Sequence, residues 1–442
     1  MGAGLSFHMP DLPVRRTPHR PWCNMVFTTL ASIRCAALCL ALVAGGAQAM
    51  APKKSAAQPA PAAPASASQP RSPHQSDPDS LLIAVYQELA AQRLRSAMEK
   101  ADALVAAYPH FHLGHLIRGD LLLMQTQPVT AMGAAPAANA IRLQELRQEA
   151  AVRLRALRER PDPALVPHVL LQLRPDQKVA FVVDARRSRL FVYENQGGKP
   201  RLVTDYYVSQ GKLGVHKLRE GDQKTPLGVY YVTGRLNGQK LPDFYGPGAL
   251  PLSYPNEWDR LHGRGGSGIW LHGTPSDSFS RPPLSSDGCV VLTNPDLTRL
   301  SRSAEVGKTP VVIADEVRFL PPERAEAERA RAWALAEAWR RDMESRDPAR
   351  MRSHYSARFK VELGDLDAWL DRHQKWLGKY PQAQVALRDV SLFAYPGESE
   401  LIVATFTEDT LVKGRIAQTQ RLRQYWAREG REWRIVTENS WQ

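Results

Sequence analysis

Two short stretches decide how this chain is read: GIWLHGTP at residues 268–275 and SSDGCVV at residues 285–291. In the first, apolar residues lead into His272, the pattern of a strand that ends on a histidine. In the second, Gly288 precedes Cys289 and two β-branched valines, so a turn opens into another strand at the cysteine. A free thiol is only a few per cent ionised at neutral pH, and a cysteine nucleophile therefore needs a neighbouring base or cation. A histidine on an adjacent strand end supplies either. Gly288 permits close backbone approach and unusual dihedrals, which suits backbone N–H groups aimed at an oxyanion. Spacing alone leaves two rivals open. One is a structural histidine beside a small buried cysteine. The other is a metal site built from His262, His272 and Cys289, although their spacing matches no zinc pattern. No cofactor is implied.

Around these stretches the texture is that of short strands rich in β-branched and aromatic residues. Strands are expected at 179–183, 189–193, 202–209, 227–233, 268–272, 289–292 and 309–313. Turns are expected at 184–188 and 195–198. Asn294 reads as a helix cap with Pro295 at the first helical position, for a helix running to about Ser303. Residues 178–316 therefore read as mainly β with long loops. Within them, the glycine-rich run Gly263–Gly268 enters a strand, not a helix, and lacks the lysine of a phosphate loop. It reads as a mobile loop near the active site, with His262 an exposed loop residue.

This segment resembles the L,D-transpeptidase catalytic domain (the YkuD type) of bacterial cell-wall enzymes. The residues that carry the resemblance are His272-Gly273, then Ser286-Asp287-Gly288-Cys289, with Val208–Gly211 and Lys224–Tyr230 upstream. The resemblance implies Cys289 as nucleophile, His272 as base and later acid, and the backbone carbonyl of Gly273 as the group that orients the imidazole. Backbone N–H groups near Gly288 and Cys289 would form the oxyanion hole, with Ser286 shaping the site. Trp270 and Thr225 would touch substrate, the peptide stem of peptidoglycan. Many family members have His where this chain has Asp287, and Arg where it has Val291. Arg281, between the two motifs, is the candidate replacement for the lost cation and a candidate substrate-binding residue.

The flanks differ in texture. Residues 78–165 read as a helical hairpin region, similar to a degenerate tetratricopeptide repeat and the candidate surface for a homodimer. One helical run extends from Leu81 to Tyr108, and further helices span about 113–125 and 141–159. A flexible TAMGAAPAA stretch (130–138) separates these last two. Residues 322–442 read as two tryptophan-bearing helices, 323–346 and 366–379, followed by a meander of three or four strands. Asp347-Pro348 closes the first helix. This part resembles the nuclear-transport-factor-two-like (NTF2-like, cystatin-like) α+β cone. Its tryptophans read as core, and no acid–base pair stands out. With the catalytic segment at 175–318, the architecture is similar to that of periplasmic cell-shape L,D-carboxypeptidases.

The first 49 residues carry Arg34, the apolar run CAALCLALVA and Ala47-Gln48-Ala49, the pattern of a secretory signal peptide, with Met25 as a candidate start. The run is about half the ~20 residues of a membrane span. Export to the periplasm is expected, with residues 50–77 as a disordered Ala/Pro-rich linker. Cleavage after Ala49 would remove Cys23, Cys35 and Cys39 and leave Cys289 without a disulfide partner. The formal charge of +13 favours an anionic partner. There is no nucleic-acid motif, and peptidoglycan is the expected substrate. The expected enzyme is an L,D-transpeptidase. The alternatives are an L,D-carboxypeptidase, an amidase that releases wall-linked protein, and a non-catalytic peptidoglycan-binding scaffold.

Overall fold

The computed structural model describes residues 77–134, 139–360, 365–380 and 382–441. The signal peptide and nearly all of the linker expected from the sequence lie outside the described residues. Among the described residues, no helix is long and apolar enough to cross a membrane.

A five-stranded sheet forms the centre, in the order Lys199–Tyr207, Arg189–Gln196, Val179–Asp184, Pro310–Ala314, Gly228–Tyr231. Val179–Asp184 and Pro310–Ala314 run parallel, and their other neighbours run antiparallel. The sheet is buried on both faces, so its inner strands are apolar throughout and do not alternate. Phe181, Val183, Leu190, Val192, Val311 and Ile313 face one core, which also holds Leu271 and Val290 of the site strands. Ala180, Val182, Phe191, Tyr193, Val312 and Ala314 face a second core shared with Phe393, Tyr395, Val403 and Tyr425 of the C-terminal region. Each buried Val, Leu, Ile or Phe contributes roughly 1.5–3 kcal/mol, so the catalytic and C-terminal regions are joined by a true core.

The C-terminal sheet runs Glu432–Ser440, Arg415–Glu429, Leu401–Val412, Gln384–Ala394, Leu170–Gln172. Its last strand comes from before the catalytic segment, pairing Gln172 with Leu392 and Leu170 with Phe393. Val166–Pro167 likewise pairs antiparallel with Phe319–Leu320. Helices Pro322–Ser345 and Leu366–Gly378 match the expected ones. The first helix ends at Ser345, just before Asp347-Pro348 as expected, and Asp347 then caps a short additional helix, Pro348–Ser353, its side chain accepting from the N–H groups of Ala349 and Arg350. Trp339 and Trp426 are core, as expected. The cone also holds a carboxyl pair that the sequence reading missed, Glu408 and Glu438, both buried.

The N-terminal region comprises Pro78–Ala90, Leu94–Ala107, His112–Leu123 and Ala140–Arg158, with successive helices packed together. The expected run from Leu81 to Tyr108 is broken at Gln92, whose φ is +58°. The described part of the stretch expected to be flexible is anchored. The N–H groups of Gly133 and Ala134 donate to Asp120 at 2.6 and 3.0 Å. At the helix Asn294–Ser303 the expected cap shifts by one residue. Thr293 caps it, and Asn294 is already helical.

Candidate active site

The site strands Trp270–His272 and Val290–Val291 are parallel neighbours, with Leu271 opposite Val290 and His272 opposite Val291. Carrying that register back one residue sets Cys289 opposite Trp270. Side chains alternate along a strand. Leu271 and Val290 therefore share the core face, and Trp270, His272, Cys289 and Val291 share the other. The two residues picked from the sequence thus sit one strand apart on a common face. His272 is almost fully buried, whereas Cys289 is half-buried.

The imidazole of His272 is oriented by its own chain. Its Nδ1 lies 2.7 Å from the carbonyl oxygen of Gly273. A carbonyl only accepts, so Nδ1 carries the hydrogen and Nε2 is left with a lone pair. Gly273 is required here because a Cβ would stand 2.2 Å from Asn294 Oδ1. That amide oxygen accepts from Thr274 N at 2.8 Å, and Gly273 N donates to Tyr245 O at 3.1 Å. The ring is flanked by Phe244 and Tyr245, with centroids 5.7 and 5.0 Å away, and Tyr245 also lies 5.1 Å from Trp270.

The cysteine is presented by a braced turn. Ser286 Oγ donates to the carbonyl of Cys289 at 2.6 Å and accepts from Gly288 N at 3.1 Å. Gly288 has φ +130°, and a Cβ there would meet Lys224 O at 2.8 Å. Thr225 Oγ1 donates to Gly288 O and accepts from Gly211 N, both at 2.9 Å. Two expectations change as a result. Thr225 is buried with its hydroxyl engaged on both sides, so it braces the turn from behind and does not face substrate. The Gly288 N–H is turned to Ser286, so it is not a free oxyanion donor. The glycine-rich loop is held by three contacts. Gly265 O accepts from Tyr254 OH at 2.8 Å, Arg264 reaches Glu398 at 3.1 Å, and Gly268 O accepts from Cys289 Sγ at 3.3 Å. His262 is exposed, as expected, with its Nδ1 2.9 Å from Trp258 O.

Burial holds the pair in its neutral form. Desolvation pushes the His272 imidazole down to about 4, against the Gly273 hydrogen bond, which raises it. Desolvation pushes the Cys289 thiol up. A backbone hydrogen bond from Trp270 opposes this, as do the charges of Lys217 and Arg281, while Asp287 adds to it. Lys217 was not singled out in the sequence. It is buried, and its Nζ lies 2.8 Å from Asp222. Asp287 is exposed and bound by Lys212 at 3.0 Å and Gln223 at 3.1 Å. The Arg281 guanidinium lies 4.1 Å above the Phe244 ring. Phe244, Tyr245 and Asn294 were also missed, since their only sequence signal is a turn before Gly246-Pro247 and a helix start. Among the described residues no cluster of His, Cys, Asp and Glu could hold a metal ion.

An imidazole of fixed tautomer on the same strand face as a partly buried thiol on a braced turn is an arrangement suited to acyl transfer through sulfur. Residues 178–313 match the model of the L,D-transpeptidase catalytic domain (YkuD), and residues 333–439 that of the Cds6 C-terminal NTF2-like domain. The chain therefore joins an L,D-transpeptidase-type catalytic domain to an NTF2-like domain. A curated relative is the Escherichia coli (strain K12) protein YafK, whose name carries L,D-transpeptidase as a candidate activity. It is 33% identical over 107 residues, 24% of this chain, and the match spans only 38% of YafK. Among solved structures, Bd1075 of Bdellovibrio bacteriovorus is 26% identical with a TM-score of 0.56, covering 62% of this chain and 98% of that one. The helical cell shape determining protein Pgp2 of Campylobacter jejuni has the same fold at 23% identity and a TM-score of 0.52, covering 62% of this chain and 95% of that one.

Proposed function

We propose that this protein is an exported peptidoglycan L,D-transpeptidase that acts on peptide stems in the periplasm through a thioester on Cys289. The observation that carries this reading is the common face of His272 and Cys289 on paired parallel strands, with the imidazole tautomer set by Gly273. Cys289 Sγ attacks the carbonyl carbon of the stem's diamino acid while its proton passes to His272 Nε2. The C–N bond to the following D-residue breaks, and the departing amine takes that proton. The acyl group is then a thioester. An amine of a second stem attacks it, loses a proton to His272 and restores the thiol. Both side chains start and finish neutral, which suits a site whose burial disfavours charge on each. Arg281 is the candidate partner for the free carboxylate at the end of the donor stem.

Transfer to water in place of an amine would make the enzyme an L,D-carboxypeptidase, with the same steps up to the thioester. Incubating the full chain with disaccharide tetrapeptide and weighing the products distinguishes the two. Cross-linked dimers with released D-alanine are expected, and tripeptide without dimers would mean hydrolysis. Cys289→Ala should form neither. A Cys289 that resists a thiol probe in the folded chain, together with no change of products in Cys289→Ala, would favour the non-catalytic, peptidoglycan-binding scaffold.

A further inference from the structure

The loop between the two site motifs, residues 274–284, does not stand alone. Phe279 leaves the catalytic region and seats against the helical one, its ring 4.9 Å from Tyr108 and 5.2 Å from Phe111. Its backbone N–H donates to His110 O at 3.3 Å. The next residue, Ser280, donates from Oγ to Glu149 Oε1 at 2.6 Å. Glu149 is buried and also accepts from Arg153 Nε at 3.0 Å. Arg153 in turn reaches Asp79 at 2.5 Å, and Asp79 reaches Arg189 of the catalytic sheet at 2.8 Å. The Arg153 guanidinium lies 3.8 Å above the Tyr207 ring.

The chain of contacts ends at Arg281. Its carbonyl accepts from Tyr207 OH at 2.8 Å and from Ser209 Oγ at 2.9 Å. Its guanidinium then lies over Phe244, the ring that flanks His272. Ordering a free loop costs backbone entropy at every residue fixed. A long arginine on an unanchored loop would sample many positions. Here the two residues before it are fixed by the helices, and its own carbonyl by the sheet.

We infer that the N-terminal helical region is a positioning element of the catalytic site: Phe279, seated against Tyr108 and Phe111, and Ser280, held by Glu149, fix the loop that places the Arg281 cation beside the His272–Cys289 face. The inference rests on the reading of that face as the reacting one. Phe279, Ser280 and Glu149 touch no reacting atom and act through Arg281.

The test compares alkylation of Cys289 in the full chain by iodoacetate and by iodoacetamide, read at the Cys289 peptide by mass spectrometry. In both, a C–S bond forms and iodide leaves, but only iodoacetate brings a negative charge. A cation held nearby favours iodoacetate, so the rate ratio reports the position of Arg281. Arg281→Ala should lower the ratio about three- to tenfold, the scale of one partly screened charge. Phe279→Ala and Ser280→Ala should lower it in the same direction, Phe279→Leu should restore most of it, and Phe279→Ala should add nothing in an Arg281→Ala background. With tetrapeptide substrate, Phe279→Ala should raise KM with little change in kcat. A folded Phe279→Ala or Ser280→Ala with an unchanged ratio overturns the inference, as does full additivity with Arg281→Ala. If Phe279→Ala does not fold, Ser280→Ala decides. The alkylation ratio does not depend on turnover. A wild type that leaves stems untouched while the ratio falls as stated refutes the enzymatic reading and leaves standing only the placement of Arg281 by the helical region.

Discussion

The Nδ1 atom of His272 lies 2.7 Å from the carbonyl oxygen of the next residue, Gly273, so the imidazole is oriented by a group that cannot titrate. Many catalytic histidines are oriented by a carboxylate, which raises their basicity. Here the carbonyl raises it less than burial lowers it, and the imidazole is held at about 4. Above that pH the ring is neutral and can accept the thiol proton, and below it the ring is protonated and cannot. The acid limb of kcat/KM on tetrapeptide should therefore fall near pH 4. A limb near 6.5 would show that the ring is not desolvated in the working enzyme. His272→Asn should lower turnover by about 10²–10⁴, the usual scale for losing a general base.

Ser286→Ala removes two hydrogen bonds at once, the 2.6 Å bond to Cys289 O and the 3.1 Å bond from Gly288 N. Leaving such buried groups unpaired costs about 1–3 kcal/mol. A urea melt should show that loss. Turnover should drop with it, because the same turn aims the sulfur. Thr225→Val should act in the same direction from the other side of Gly288.

Gly288→Ala should be worse than either. The backbone there has φ +130°, and the new Cβ would come within 2.8 Å of Lys224 O, which belongs to backbone and cannot swing aside. Strain of this kind costs of order 1–3 kcal/mol. Slower alkylation of Cys289 together with a lower melting temperature is the expected pair of results. Wild-type alkylation kinetics would contradict the close approach.

Arg153 is the shared cation of two buried carboxylates, Asp79 at 2.5 Å and Glu149 at 2.9 Å. Arg153→Met leaves Asp79 to Arg189 and Glu149 to the Ser280 hydroxyl, and removing one member of a buried charge network costs about 3–5 kcal/mol. Arg95→Ala serves as the control. Its partner Glu99 is 3.6 Å away on an exposed helix face, where such pairs are worth roughly 0.3–0.5 kcal/mol. Urea unfolding of the two variants should separate them clearly.

The cone of the C-terminal region should make stability fall as pH rises from mildly acidic to about 8. Burial pushes Glu438 up to about 8 and Glu408 up to about 7, and each is disfavoured further by the other or by Asp409. The folded state binds these protons more tightly than the unfolded chain, where a glutamate titrates at its ordinary 4.5. Their contribution is therefore fully present below about pH 4.5 and is lost as pH rises towards 8. The melting temperature should decline over that range, and Glu438→Gln should flatten the decline. An equally steep decline in the variant would assign the effect to other groups.

Much of the layout was readable because its signals are local. The heptad-like apolar spacing around Leu82 and Val85, the β-branched runs at 179–183 and 309–313, and the charged helix with Trp339 each report a period over a few residues. The turn at Ser286-Asp287-Gly288 and the strand end at His272-Gly273 are contiguous, so their types could be read directly. The misses have a common cause. Lys217, Phe244, Tyr245 and Asn294 reach the site from distant loops, and nothing near them in the chain says so. Thr225 is expected at the substrate from its motif alone. Only the fold shows its hydroxyl spent on Gly211 N and Gly288 O. Glu408 and Glu438 looked like ordinary alternating strand residues until the sheet curled them into one interior.

What the amino-acid order determined alone was the kind of structure each segment forms, helical, mainly β, then α+β, because backbone propensity and side-chain periodicity act within a turn or a strand. What the tertiary structure decided was which segments meet. Leu170–Gln172, too short to announce a strand, completes the C-terminal sheet, and Phe279 ties the loop between His272 and Cys289 to the helical region. Such pairings are chosen by the burial of apolar surface and the satisfaction of buried charge across long loops. Those energies exist only once the partners are in contact.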